Sequence, residues 1–254
     1  MSLRFFCLTL EEMHMERKVS IVCPIAESVP PKVFRDTMAM ISYSIKNGIE
    51  IMDIGITERE LIDEARNNLA TTFLATQTEW LFWMDADMVL PKDTIVELFK
   101  VAEEKNAKLV TGIYYQRKGQ NLPVLWSRGE ETETTGLSGM GSPKAKVNKY
   151  CGSYMFPHPD KKTPFKVHAA GFGCVLVHRS VFESLDYPWF KFIKGQCSED
   201  FYFFVNAKEA GFEAWAVPTL KLGHIADPPV ITKDNFYKNA FDHNIDVDGI
   251  KSNG

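Results

Sequence analysis

Cysteine is sparse and unpatterned in this chain. Cys7, Cys23, Cys151, Cys174 and Cys197 are odd in number, and no two share a C-x-x-C spacing. That excludes a zinc ribbon and argues against a disulfide framework, so a reducing, cytoplasmic setting is expected. Long apolar runs are missing as well: none approaches the roughly 18–20 residues of a membrane span. The opening "MSLRFFCLTLEEMHMERK" has an apolar patch, but Glu11 and Glu12 interrupt it and no small-residue cleavage site follows. Residues 1–16 therefore read as an extension outside the fold. There is no surplus of basic charge either. Lys and Arg number 29 against 33 Asp and Glu, a formal net charge of −4, which speaks against a dedicated nucleic-acid binder. No internal repeat is visible.

What is present is an alternation of strand and helix patterns. "KVSIVCPIA" (18–26) is a β-branched apolar run stopped by Pro24, and "PKVFRDTMAMISYSIKNG" (31–48) has helical spacing with Gly48 placed as a cap. "IEIMDIGI" (49–56) reads as a second strand. The helix of 57–76 opens on Thr57 and Glu60, the capping-box spacing. "EWLFWMDADMV" is a third strand, 91–106 a helix with Pro and acids at its start, and "AKLVTGIYYQ" a fourth strand. From Arg117 to Pro164 periodicity dissolves into Gly, Ser, Thr and charge, the mark of a binding loop or a mobile one. A strand and short helix over 165–185, a helix over 198–212 with Ser198 as N-cap, and a strand over 213–225 follow. This order predicts an α/β fold with a mostly parallel central sheet and helices on both faces. It places 17–225 in one domain and 226–254 in a polar tail. Ligands of such sheets bind at the carboxyl ends of strands.

One such end is "LFWMDADMVLP". Residues i and i+2 of a strand share a face, so Asp85 and Asp87 would crowd two like charges together. Either the strand stops and the acids splay apart, or a cation is expected. The buried character of "LFWM" favours a divalent cation or a hydrogen-bonded partner at the lip of a central strand.

Four pieces in order resemble the GT-A glycosyltransferases, most closely small family-2-like enzymes. They are "VSIVCPIAES", "ARNNLATTFLATQTEWLFWMDADMVLPKDTIVELF", "HAAGFGCVLVHRSVF" with "SEDFYFFVNAKEAGF", and "LGHI". The resemblance implies a single Rossmann-like domain and transfer of a sugar, a hexose by expectation, from a nucleoside-diphosphate donor. A UDP-sugar is favoured and a GDP-sugar allowed. It implies Mn²⁺ or Mg²⁺ on Asp87 and His224, with Asp85 on the ribose or a metal-bound water. A cation there neutralises the charge that develops on the leaving diphosphate, and carboxylate with imidazole suits Mn²⁺. Asp200 would be the general base of an inverting displacement and Glu199 would organise its pocket. Both also suit a helix N-terminus for its dipole alone.

The remaining expectations concern donor contacts. Pro24, Ala26 and Glu27 follow the first strand, where such enzymes hold base and ribose, and Ala86 lies between the acids. Arg66 and Asn67 lie on the helix before the D-x-D, where a guanidinium fork suits a diphosphate or the acids around it. Gly171 of "GFG" would let backbone approach the donor sugar, or is plain strand punctuation.

Three other classes fit part of the pattern. "DADMV" matches the motif of haloacid-dehalogenase-like phosphohydrolases, with Asp85 as nucleophile, but two strands precede it and no G-D-x-x-x-D follows. A sugar nucleotidyltransferase would need a Gly-rich loop where "PIAES" stands. A non-catalytic sugar-nucleotide-binding module would not need Asp87, Asp200 and His224 together. The acceptor is open: a glycan, a lipid-linked sugar, a protein side chain or a modified nucleic-acid base, the last disfavoured by net acidity.

Overall fold

The computed structural model describes residues 17–117, 119–128, 150, 152–226 and 230–234. In chain order these form β1 (Lys18–Pro24), α1 (Pro31–Lys46), β2 (Glu50–Thr57), α2 (Ile62–Leu74), β3 (Trp80–Met84), β4 (Met88–Val89) and α3 (Thr94–Lys105). Then come β5 (Leu109–Gly112), β6 (Leu125–Arg128), β7 (Gly152–Tyr154), β8 (Phe165–Val167), β9 (Ala169–Ala170) and β10 (Cys174–His178). The chain continues with α4 (Arg179–Glu183), α5 (Glu199–Glu209), β11 (Ala214–Val217), β12 (Gly223–Ile225) and β13 (Val230–Ile231).

The central sheet has seven strands in the order β2-β1-β3-β10-β5-β11-β8. β2, β1 and β3 run parallel, and β11 runs parallel to β5, while β10 and β8 are antiparallel to their neighbours. The sheet is thus mixed, with five strands in one direction. The interior strand β3 explains the apolar run in the sequence. Leu81 and Trp83 enter the core beneath α2, α4 and α5, whereas Trp80, Phe82 and Met84 enter the one beneath α1 and α3. All five are buried, and each side chain so buried contributes about 1.5–3 kcal/mol.

Several local signals yield to the sheet. Thr57 does not cap α2, because it extends β2 opposite Pro24, and the helix starts at Ile62 after Leu61 without a side-chain cap. A parallel ladder outweighs one capping bond. The run from Glu79 to Val89 is two strands in two sheets, parted by a turn in which Met88 N–H donates to the Asp85 carbonyl at 3.1 Å. Likewise 213–225 divides into β11 in the main sheet and β12 in a small sheet β13-β12-β4. Residues 230–231, expected in a polar tail, thereby pair back onto β12.

The stretch 117–164, expected to be irregular, contributes β6 and β7 to a third sheet, β7-β6-β9. Strands of three or four residues are too short to show a period. The extension 1–16 and most of the tail lie outside the described residues. Among the described residues, no helix is long and apolar enough to cross a membrane.

Candidate active site

The turn between β3 and β4 resolves the crowding of Asp85 and Asp87, since neither residue lies on a strand. Each carboxylate takes a different cationic partner. Asp85 Oδ1 accepts from Arg66 Nη2 at 3.2 Å. Asp87 Oδ2 accepts from Arg117 Nη1 at 2.6 Å, and its Oδ1 stands 3.3 Å from Nε2 of His224. The link to His224 is a sheet contact: β12 pairs antiparallel with β4, and Ile225 N–H donates to the Asp87 carbonyl at 2.8 Å.

The tautomer of His224 follows from its other nitrogen. Nδ1 lies 2.8 Å from the Tyr115 carbonyl oxygen, which can only accept, so Nδ1 carries the proton. In the neutral ring Nε2 is then a bare lone pair directed at a carboxylate. Asp87 Oδ1 is buried and receives no hydrogen bond of good geometry. Burial would raise the Asp87 pKa, but His224, through a hydrogen bond and a charge that only its protonated ring supplies, and the Arg117 guanidinium overcome it and hold the group below its ordinary value. An imidazole lone pair facing an orphaned carboxylate oxygen fits a cation between them, and both donors suit Mn²⁺ or Mg²⁺. Among the described residues no three His, Cys, Asp or Glu side chains form a metal cage. A cation here would take its other ligands from a bound anion or water.

Arg66 is the second centre. It is buried on α2, with Nη1 at 2.9 Å from Glu199 Oε1 and Nη2 on Asp85. Its guanidinium carbon lies 5.2 Å from the Phe172 ring centroid. Burial disfavours its charge, yet Asp85, Glu199, Asp200 and Tyr114 outweigh that and raise its pKa. The guanidinium therefore serves the ring of acids.

Its neighbour Asn67 departs from the expected donor contact. The amide donates to the carbonyls of Asp63 and Phe190 at 2.8 and 2.7 Å, and its oxygen accepts from Phe190 N–H at 3.1 Å. Those bonds spend it on the main chain.

α5 carries Glu199 and Asp200 at its first turn. Ser198 makes no side-chain cap; its hydroxyl donates instead to Asp200 Oδ1, which also accepts from Phe201 N–H at 2.7 Å. Burial, reinforced by the Asp200 charge, pushes Glu199 up to about 7, and Arg66 offsets this only in part. Burial likewise raises Asp200 against the opposing effects of Arg66 and Ser198.

The donor-side residues of the first strand sit at the same sheet end, since Val22 pairs with Trp83. Pro24 closes β1, while Ala26 and Glu27 are exposed beyond it, Glu27 in an ion pair with Arg59 at 3.1 Å. Ala86 is half-buried in the turn. Cys23, buried beneath them, has its thiol pushed up to about 12 by burial and then by the charges of Asp85 and Asp87.

Gly171 is where the expectation changes most. A Cβ there would lie 2.0 Å from the Tyr114 hydroxyl, and one at Gly173 would lie 2.9 Å from the same ring. The "GFG" spacing makes room for Tyr114. Tyr114 is buried, accepts from Gly173 N–H at 3.2 Å, and sets its ring edge-on to His224.

Sequence reasoning missed Tyr114, the Tyr115 carbonyl and Arg117. All lie just past the carboxyl end of β5, and the strand-end rule already applied to β1 and β3 would have pointed to them.

Residues 63–186 match the family model described as Glycosyl transferase family 2. No curated protein matches the chain in sequence. Among solved structures, A197 from STIV is similar over 86% of this chain and 91% of that one, at 20% identity and a TM-score of 0.55. GalNAc-T7, solved with UDP, GalNAc and Mn²⁺, is similar over 90% of this chain at 13% identity and a TM-score of 0.51. The chain spans about half of that protein, 48% of its length.

Proposed function

We propose, from the match of residues 63–186 to the family 2 glycosyltransferase model and from the GT-A-like fold, that this chain carries out a nucleotide-sugar-dependent, metal-assisted, inverting transfer of a hexose. The donor is a nucleoside-diphosphate sugar, UDP-linked in preference to GDP-linked. The observation that carries the reading is the meeting of His224 Nε2 with the orphaned Oδ1 of Asp87.

In this reading Asp87 and His224 hold Mn²⁺ or Mg²⁺, which when bound supplies Lewis-acid neutralisation of the leaving diphosphate. The Tyr115 carbonyl keeps the proton on Nδ1 and so keeps Nε2 open as a ligand. Asp85, bound by Arg66, faces the ribose side of the cleft. Pro24, Ala26 and Glu27 flank the base. Arg66 ties Asp85 to Glu199, so the donor end and the base-bearing helix are held as one unit.

Asp200 takes the acceptor hydroxyl proton as that oxygen attacks the anomeric carbon. The bond from that carbon to the diphosphate oxygen breaks, and its electron pair leaves with the nucleoside diphosphate. The hydroxyl of Ser198 and the amide of Phe201 hold the Asp200 carboxylate in place. A carboxyl whose pKa is raised by burial is a stronger base once ionised, which suits proton abstraction.

The phosphohydrolase alternative needs Asp85 as a free nucleophile. A buried guanidinium on its Oδ1 blunts that role.

The experiment is a calorimetric titration with UDP and GDP, with and without Mn²⁺, followed by transfer assays with the preferred base. Metal-dependent binding that Asp87→Ala abolishes supports the reading. Equal affinity with and without metal overturns it.

A further inference from the structure

Arg117 has no part in the expected donor set, yet its guanidinium makes the shortest contact at Asp87, 2.6 Å to Oδ2. Its side chain is half exposed, so it is not held there by packing. The other oxygen of the same carboxylate faces His224 Nε2. A divalent cation between Oδ1 and Nε2 would sit within a few ångströms of that guanidinium. One carboxylate cannot neutralise both, and like charges so placed repel even through water.

We propose that Arg117 is a resident counter-ion of Asp87 that competes with the divalent cation and yields when a diphosphate arrives to take over its guanidinium. Cation and donor then load together. The inference rests on the reading that Asp87 and His224 hold the cation. A guanidinium fork matches phosphate oxygens as well as it matches a carboxylate. Arg117 is also placed for the exchange, since it follows Tyr115, whose carbonyl orients His224, and Gln116, which is anchored by Gln116 Nε2 donating to the Tyr154 hydroxyl at 2.9 Å. In this role it is a donor-binding residue.

The test reads the sign of a change. Loss of a residue that merely walls a site loosens metal binding; loss of a competitor tightens it. Mn²⁺ alone is titrated by electron paramagnetic resonance into the wild type, Arg117→Met, Arg117→Lys and Asp87→Asn, and UDP and GDP are titrated by calorimetry at saturating Mn²⁺. Arg117→Met is expected to bind Mn²⁺ alone about 10-fold more tightly and the preferred nucleotide about 10-fold more weakly. Arg117→Lys restores the wild-type affinity for Mn²⁺ alone, because the point charge remains, but not the nucleotide affinity, because the fork is gone.

Weaker or unchanged Mn²⁺ binding in Arg117→Met overturns the competition, and unchanged nucleotide binding overturns the hand-over. If Mn²⁺ binding survives Asp87→Asn, the cation site itself is wrong and the inference falls with it. If Asp87→Asn loses Mn²⁺ while Arg117→Met gains nothing, the cation site stands and only Arg117's role fails.

Discussion

His224 and Asp87, far apart in the sequence, stand with Nε2 and Oδ1 at 3.3 Å because β12 pairs with β4 directly beside the turn that carries the acid. The main-chain bond from Ile225 N–H to the Asp87 carbonyl ties the two segments together beside that contact.

Removing either partner tests the cation site. Asp87→Asn is expected to lower Mn²⁺ affinity by at least about 100-fold, beyond the 10–100-fold usual for losing a supporting partner. His224→Ala is expected to weaken Mn²⁺ more than it weakens nucleotide measured without metal. Circular dichroism should show both variants folded. Unchanged Mn²⁺ affinity in either variant would be decisive against the assignment.

Arg66 is a buried charge shared by two acids, so its loss strands them. Arg66→Met should destabilise the fold by about 3–5 kcal/mol in urea denaturation. Adding Glu199→Gln should recover part of that, since the stranded carboxylate becomes neutral. A double variant no better than the single one would separate Glu199 from the pair.

Glu199 gives stability a pH dependence of defined sign. Its pKa in the fold is raised to about 7 from 4.5, so between those values the folded state binds more protons than the unfolded state. The contribution of this group is therefore most favourable below about pH 4.5 and declines as pH rises through 7, by at most about 1.4 kcal/mol per pH unit. Glu199→Gln should flatten that slope in denaturation measured from pH 5 to 8. An unaltered slope would place the titrating group elsewhere.

Gly171 and Tyr114 form a packing pair. Gly171→Ala should cost about 1–3 kcal/mol as the new methyl meets the phenol. Tyr114→Phe in the same background should relieve part of that cost. If Gly171→Ala instead left the melting temperature unchanged and raised only the donor KM, the glycine would serve the sugar after all.

Asp200→Asn separates binding from chemistry. Donor and metal affinity should stay near the wild type while transfer falls by about 10²–10⁴-fold. The product of the wild-type enzyme should have inverted anomeric configuration by NMR. A retained configuration would remove the need for a base at Asp200.

Much of this was legible in local chemistry. Apolar periodicity, Pro24 at a strand end and the wholly apolar "LFWM" determined the alternation of strands and helices, the interior place of β3 and the sheet end at which the acids gather. Such features depend on neighbours within one or two turns of chain, which a sequence displays. Thr57 and Glu60 show the limit: a good local cap lost to a parallel ladder with β1.

Only the tertiary structure decided which charges meet. The turn after Met84 sends Asp85 to Arg66 and Asp87 to His224 and Arg117, and no spacing in the chain encodes those partners. Gly171 proved to be matched to Tyr114 for the same reason, since a glycine records that space is needed but not what fills it. β6 and β7 drew their order from pairing with one another and with β9. Pairings between distant segments are decided by the sheet that forms around them, because the burial and hydrogen bonds that stabilise them exist only once the chain has closed.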